Sequence, residues 1–325
     1  MGDWLSAIKN RLGATSALSP PGIAAAMELV LASSDPKIRL VHGYKRKLAP
    51  AVESAWQHIA RLIETIPGPL DATRAETLFD RLINPFFIDS AQLKKALRND
   101  RVLNRFLSKD PADTFFVLLT MHREVKTILG TQLKGDLLLR DVAMKSIGFS
   151  DHKFRVPASS MDDAILALRL GVLQILSNRA HEDILAEKAR EAELGRLRAE
   201  MTAKLKILAM ERPDQALAGR SDPGRQPRAA QKMLAEIEQE LSAIKSRTIN
   251  AGYYLEKVLG VLGSARELLT AEVVDMHMDP KNLLLAGPAD AEKDTIRALD
   301  VKLGQTILRS CVLLKCSRQV LLNCF

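Results

Sequence analysis

From Leu234 the chain sets an apolar or small residue at strictly alternating intervals of three and four: Leu234, Ile237, Leu241, Ile244, Thr248, Ala251, Leu255, Val258, Leu262, Ala265 and Leu269. Intervals averaging 3.5 keep these residues on one stripe of an α-helix, whereas a strand, with its period of two, would scatter them over both faces. A stripe held for five heptads also calls for a second helix to cover it. The preceding segment supplies one. It opens at "SSMDD" from Ser159, a hydroxyl followed by acids in the first turn, and runs without proline to Arg212. Leu194, Leu197, Met201 and Leu208 keep the rhythm there, with Lys204 interrupting. Between the two runs, "RPDQALAGRSDPGRQPR" holds three prolines and two glycines and reads as a loop over 212–228. The expectation is an antiparallel helical hairpin over 160–269, about 50 to 70 Å long at the helical rise. Ala164 to Leu176 and Tyr253 to Leu269 are apolar nearly all round, so the base of the hairpin is expected to be buried.

Around the hairpin the pattern is more broken. Pro21 to about Gly130 reads as short helices, with Pro36, Pro50, Pro67, Pro85 and Pro111 near segment starts. Asp35, Asn84 and Asp110 precede three of those prolines as cap residues. Lys134 to Pro157 loses helical periodicity and reads as two short strands and a turn. After Leu269 the period becomes two: Val274, Met276 and Met278 alternate with Asp275, His277 and Asp279. "NLLL" starts a partner strand, "ADAEKDTIRALDVKLG" reads as a helix, and "SCVLLKCSRQVLL" as a final buried strand.

The fold expected is therefore mainly α, of the α+β class: an N-terminal bundle of short helices, a long antiparallel helical hairpin of coiled-coil type, and a small antiparallel β-sheet near the hairpin base. Its organisation is an N-terminal amphipathic helix and linker over 1–20, the short-helix bundle over 21–130, a sheet region with one helix over 131–159 and 270–325, and the hairpin over 160–269.

Candidate chemistry is sparse. Asp275, His277 and Asp279 sit at alternate positions of one strand, so their side chains point the same way, about 7 Å apart at the backbone. A His with two carboxylates suits a divalent metal, with Asp151 or His152 as a further ligand. The same pattern arises in any strand with a solvated face. His122 in "HRE" and His181 in "HED" fall on segments read as helical, where adjacent residues diverge by about 100° and form no site. No G-x-S-x-G and no phosphate loop is present. Cys311, Cys316 and Cys324 are spaced as neither a disulfide framework nor a zinc motif, and no cofactor is expected beyond that metal.

The net charge of +8 raises nucleic acid as a partner. Its basic residues form separate clusters, Lys45 to Lys47, Lys94 with Lys95 and Arg98, and Arg220, Arg225 and Arg228. Aromatics make up 4% of the chain and leave few platforms for stacking, which argues against a dedicated nucleic-acid binder. At the N-terminus, Trp4, Leu5, Ile8 and Leu12 share one helical face that could rest on a membrane surface or a partner's groove. Gly2 and Ser6 fit the minimal myristoylation pattern. The nearest apolar run to a membrane span, from Ala164, is short and carries Arg169. With no secretory signal read, the expected compartment is the cytoplasm.

The function expected is protein–protein interaction or scaffolding without enzymatic activity. The hairpin would be the docking or homo-oligomerisation arm, with Arg212, Arg220, Arg225 and Arg228 at its contact surface. The alternatives are a metal-dependent enzyme built on Asp275, His277 and Asp279, and a peripheral membrane protein held through Trp4, Leu5, Ile8 and Leu12.

Overall fold

Ser160 opens the longest element of the chain. In the computed structural model, which describes residues 20–73, 86–87, 90–134, 137–217, 225–278, 283–284, 295–304 and 306–319, its hydroxyl accepts from the Asp163 amide at 3.1 Å and donates to the Asp163 carboxylate at 2.9 Å. This reciprocal cap satisfies an amide that has no partner inside the helix. The helices are α1 (Pro20–Ser33), a 3-10 turn (Pro36–Leu40), α2 (Tyr44–Glu64), α3 (Ser90–Asn99), α4 (Arg101–Leu107), α5 (Met161–Leu217), α6 (Arg225–Thr248), α7 (Ala251–Gly263) and α8 (Ala265–Leu268). The strands are β1 (Leu70–Ala72), β2 (Thr114–Lys134), β3 (Leu137–Ala158), β4 (Leu269–His277), β5 (Thr295–Leu303) and β6 (Thr306–Ser317).

The chain divides into two compact units. One takes Glu53–Leu173 and Ser264–Phe325 with Met1–Ala26; the other takes Met27–Val52 and Gln174–Gly263. The first unit holds the sheet, ordered β3-β2-β6-β5-β4, with β1 beside β6. All pairings are antiparallel except β1 with β6, where Leu70 faces Leu314. Leu283 bridges Ser146 on β3 and Leu284 bridges Met278 just past β4, so a short segment ties the two outer strands together and the sheet curls. Both faces are covered. Phe115, Val117, Leu119, Met121, Ile147, Phe149, Met276, Ile296, Ala298 and Val312 form one core with Leu93 and Leu97 of α3 and Leu103 and Leu107 of α4. On the other face Leu118, Leu299 and Cys311 meet Ile59 and Ile63 of α2 and Leu168 of α5 around an apolar cavity of about 80 Å³.

The sheet is larger than the sequence pattern suggests, with six strands. Residues 114–130, expected to be helical, form most of β2, and His122 therefore lies on a strand. "FFVLLTM" is a continuous apolar run that can be buried on both faces, and periodicity alone does not separate such a strand from a buried helix. The two short strands expected over 131–159 are one long strand, β3, paired with β2 from Phe116↔Ala158 to Lys134↔Leu137. "TIRALDVKL", expected to be helical, is β5. Its Ile296, Leu299 and Leu303 imitate helical spacing, but buried neighbours on both sides hold it as an inner strand. Pro50 lies inside α2, and Pro111 precedes a strand instead of a helix.

In the second unit α5 and α6 run antiparallel. Leu194 packs with Ile237, Leu241 and Ile244, flanked by Leu197 and Met201. Arg190 holds Glu240 at 2.9 Å, and Thr248 lies 3.4 Å from Glu191. The connecting loop is shorter than 212–228, because α5 continues through Pro213 to Leu217 and α6 starts at Arg225, with Pro227 in its first turn where its missing amide costs nothing. The second arm is not one helix to Leu269. It breaks at Ile249 and Asn250, where the Asn250 side chain accepts from the Gly252 amide at 2.8 Å and caps α7. Tyr254 donates its hydroxyl to the Thr248 carbonyl that the break leaves free, at 3.0 Å. The apolar stripe survives the break: Leu255, Val258, Leu262, Ala265 and Leu269 are all buried, Leu269 as the first residue of β4.

Candidate functional site

Strand β4 alternates as its sequence predicts. Met276 and Met278 are buried in the core, and Asp275 and His277 lie on the opposite face. There each meets the residue directly across on β5. Arg297 donates to the Asp275 carboxylate at 2.9 Å, and the Thr295 hydroxyl shares a hydrogen with His277 Nδ1 at 2.8 Å. Asp279 lies outside the described residues. Among the described residues no group of three or more His, Cys, Asp or Glu side chains is placed to hold a metal ion. The further ligands considered with this set are engaged elsewhere. Lys153 and Arg309 hold the Asp151 carboxylate, lowering its pKa to about 2, with the Lys153 hydrogen bond the larger cause. His152 donates from Nε2 to the Phe86 carbonyl at 2.6 Å and stacks on Phe87 at 4.3 Å, and burial pushes its pKa below the ordinary range.

Two polar clusters carry no signature in the sequence. In the first unit Asp300 is buried between strands, accepting from Ser310 Oγ at 2.5 Å and from Arg123 at 2.5 Å. These residues come from β5, β6 and β2, so only the strand order brings them together. Asp300 sits where a core-facing apolar residue is expected, and that misfit inside "RALDVKL" is its one local sign. In the second unit the buried ring of Tyr254 has Lys37 and Lys188 each 5.2 Å from its centroid, and Lys188 also reaches Asp35 at 3.2 Å. Asp35 in turn caps the 3-10 turn by accepting from the Lys37 amide at 2.9 Å. Both clusters are closed sets, each charge answered by its neighbour, and their role is to join elements.

No family model, curated protein or solved structure matches this chain. The argument from geometry therefore rests on this chain alone, and it favours the α5–α6 arm. From Gly195 to Met210 no residue of α5 is buried, and α6 contributes none from Arg228 to Glu236. Leu197, Met201, Leu205 and Leu208, with Leu234, are half-buried and mark the seam. Away from the seam Ile207 is 56% exposed, Met210 80% and Met233 51%. Of the basic residues expected at the contact surface, Arg228 is exposed on α6; Arg212 lies in α5 and Arg225 opens α6. Arg220 lies outside the described residues, as do Trp4, Leu5, Ile8 and Leu12. Among the described residues no helix is long and apolar enough to cross a membrane.

Proposed function

We propose that this chain is a protein–protein interaction or scaffold protein that docks, or pairs with a second copy, through the α5–α6 arm. One observation carries the reading: over the sixteen residues from Gly195 to Met210 a regular helix has one half-buried stripe and no buried residue. Helices in water draw most of their stability from packing an apolar face, and a length of this kind with a single narrow seam contributes little to its own unit. Ile207, Met210 and Met233 lie off that seam, where the hairpin itself makes no use of them. Apolar groups on an otherwise charged helix fit the helix-in-groove or helix-on-helix mode of recognition.

The test replaces Ile207, Met210 and Met233 together by Asp. Because these side chains are exposed, helix content and thermal midpoint should stay near those of the parent chain. Sedimentation velocity and affinity capture then compare the two. A change in oligomeric state, or a specific partner that binds the purified parent directly and the variant at least about tenfold more weakly, a loss of about 1.4 kcal/mol, is the expected result. If the variant keeps the parent's mass and every specific partner, the arm is not the docking surface.

A further inference from the structure

Two clefts adjoin on the first unit, and their walls are cationic. The larger, about 520 Å³, lies where α3 and α4 meet β3, and is lined by Lys95, Asn99, Arg101, His152, Lys153 and Arg155. Its one carboxylate, Asp100, is fully committed. One oxygen accepts from the Val102 and Leu103 amides at 2.9 and 3.0 Å, and the other from the Phe154 amide at 2.9 Å. Val102 also lines the second cleft, whose charged residues are Arg105, Lys109 and Asp110. Asp110 is likewise occupied, accepting from Ser159 Oγ at 2.5 Å and the Ala112 amide at 2.9 Å. Among the described residues Lys95, Arg101, Arg105, Lys109 and Arg155 pair with no carboxylate, while Lys153 shares Asp151 with Arg309. In the sequence these cations lie in separate stretches, at 95–109 and 153–155; the packing of α4 on β3 gathers them into one band.

We infer that this band is a binding surface for the phosphate backbone of a nucleic-acid duplex, read without regard to sequence. A single phosphoryl group would need its donors to converge on one point. Here they are spread over two clefts that share a wall, which suits a chain of charges spaced along a backbone. The absence of exposed stacking rings among the lining groups of the larger cleft argues for a backbone over splayed bases. This inference is independent of the docking arm, and either can stand without the other.

The test measures anisotropy of a fluorescein-labelled 20-base-pair DNA duplex titrated with the full chain between 50 and 200 mM NaCl, repeated with an RNA duplex of the same sequence. The parent should bind with log K falling linearly against log salt, at a slope of about −0.9 for each phosphate neutralised. Arg101→Gln with Arg155→Gln should weaken binding by at least about tenfold and flatten that slope by about 2. Arg228→Gln with Lys232→Gln removes the same charge from the α6 arm and should leave both unchanged. The two duplexes identify which backbone is preferred, and either preference supports the inference. Equal losses in the two double variants would mean diffuse attraction and overturn it. So would no binding of either duplex at 50 mM salt, or displacement of the duplex by micromolar inorganic pyrophosphate, which would make the larger cleft a site for a small phosphate compound.

Discussion

Asp300 shows how a single buried charge is tolerated. Ser310 and Arg123 each give it a hydrogen bond, and Arg123 neutralises it. Asp300→Ala would leave the guanidinium half of the pair inside the sheet without its acceptor, and should destabilise the fold by about 3 kcal/mol, read from urea denaturation. Gly68 answers to a different constraint. Its φ of +115° is strained for any side chain, and a Cβ there would sit 2.4 Å from the Leu313 carbonyl oxygen, where Leu313 donates to Pro67. Gly68→Ala should cost about 2 to 3 kcal/mol by the same measurement, a mild substitution with a severe effect because neither backbone can retreat. His152 adds a pH dependence. Burial holds its folded pKa below 6.5, while the Phe86 hydrogen bond and the Asp151 charge oppose this more weakly. The unfolded chain therefore takes up the proton first, so stability present above pH 6.5 declines as pH falls below that value toward the folded pKa. His152→Gln keeps a donor for the Phe86 carbonyl and removes the titration; denaturation midpoints at pH 7.5, 6.5 and 5.5 should show a flatter acid side.

Helix ends and strand pairing decide more at the scale of elements than propensity does. The second arm carries an unbroken apolar stripe from Leu234 to Leu269, yet it is cut at Asn250 and finishes as a strand. The cut needs its own hydrogen-bonding solution, supplied by the Asn250 cap and the Tyr254 hydroxyl. Asn250→Ala should therefore cost about 1 kcal/mol, with the loss of amide protection confined to the first turn of α7 in hydrogen exchange. Between α5 and α6 the closed cluster is small, formed by Leu194, Ile237, Leu241 and Ile244. Leu241→Ala takes out a central member and should destabilise this pair by about 2 to 4 kcal/mol. The β2–β3 pair differs in kind. Past Met121, strand β2 leaves β6 and pairs with β3 alone, and Val125, Ile128 and Leu129 become exposed there. Strand pairing carries the backbone hydrogen bonds past the point where a core exists, which local sequence preference does not foretell.

For the whole molecule, the division into two compact units predicts separable stability. In the Leu241→Ala protein, hydrogen exchange should rise over 190–250 while β2, β5 and β6 keep their protection; equal losses in both units would show that they unfold together. Much of the second unit was legible in advance, because a heptad stripe is a local signal: each residue is placed by the helical turn and needs no knowledge of distant chain. The start of α5, the antiparallel packing on α6, the strand at Val274 to Met276 and the final strand through Cys316 follow from such local patterns. The alternation of Asp275 and His277 was visible in the same way, though their answering partners on β5 were not, since "TIRALDVKL" reads as a helix. What only the tertiary structure decided is long-range. Strands β2 and β5 are strands because β6 lies between them, and a run apolar on both faces has no period to announce it. The Asp300 cluster and the cationic band exist for the same reason: their members come from separate stretches of chain, and charge is brought together by packing, not by order in the sequence.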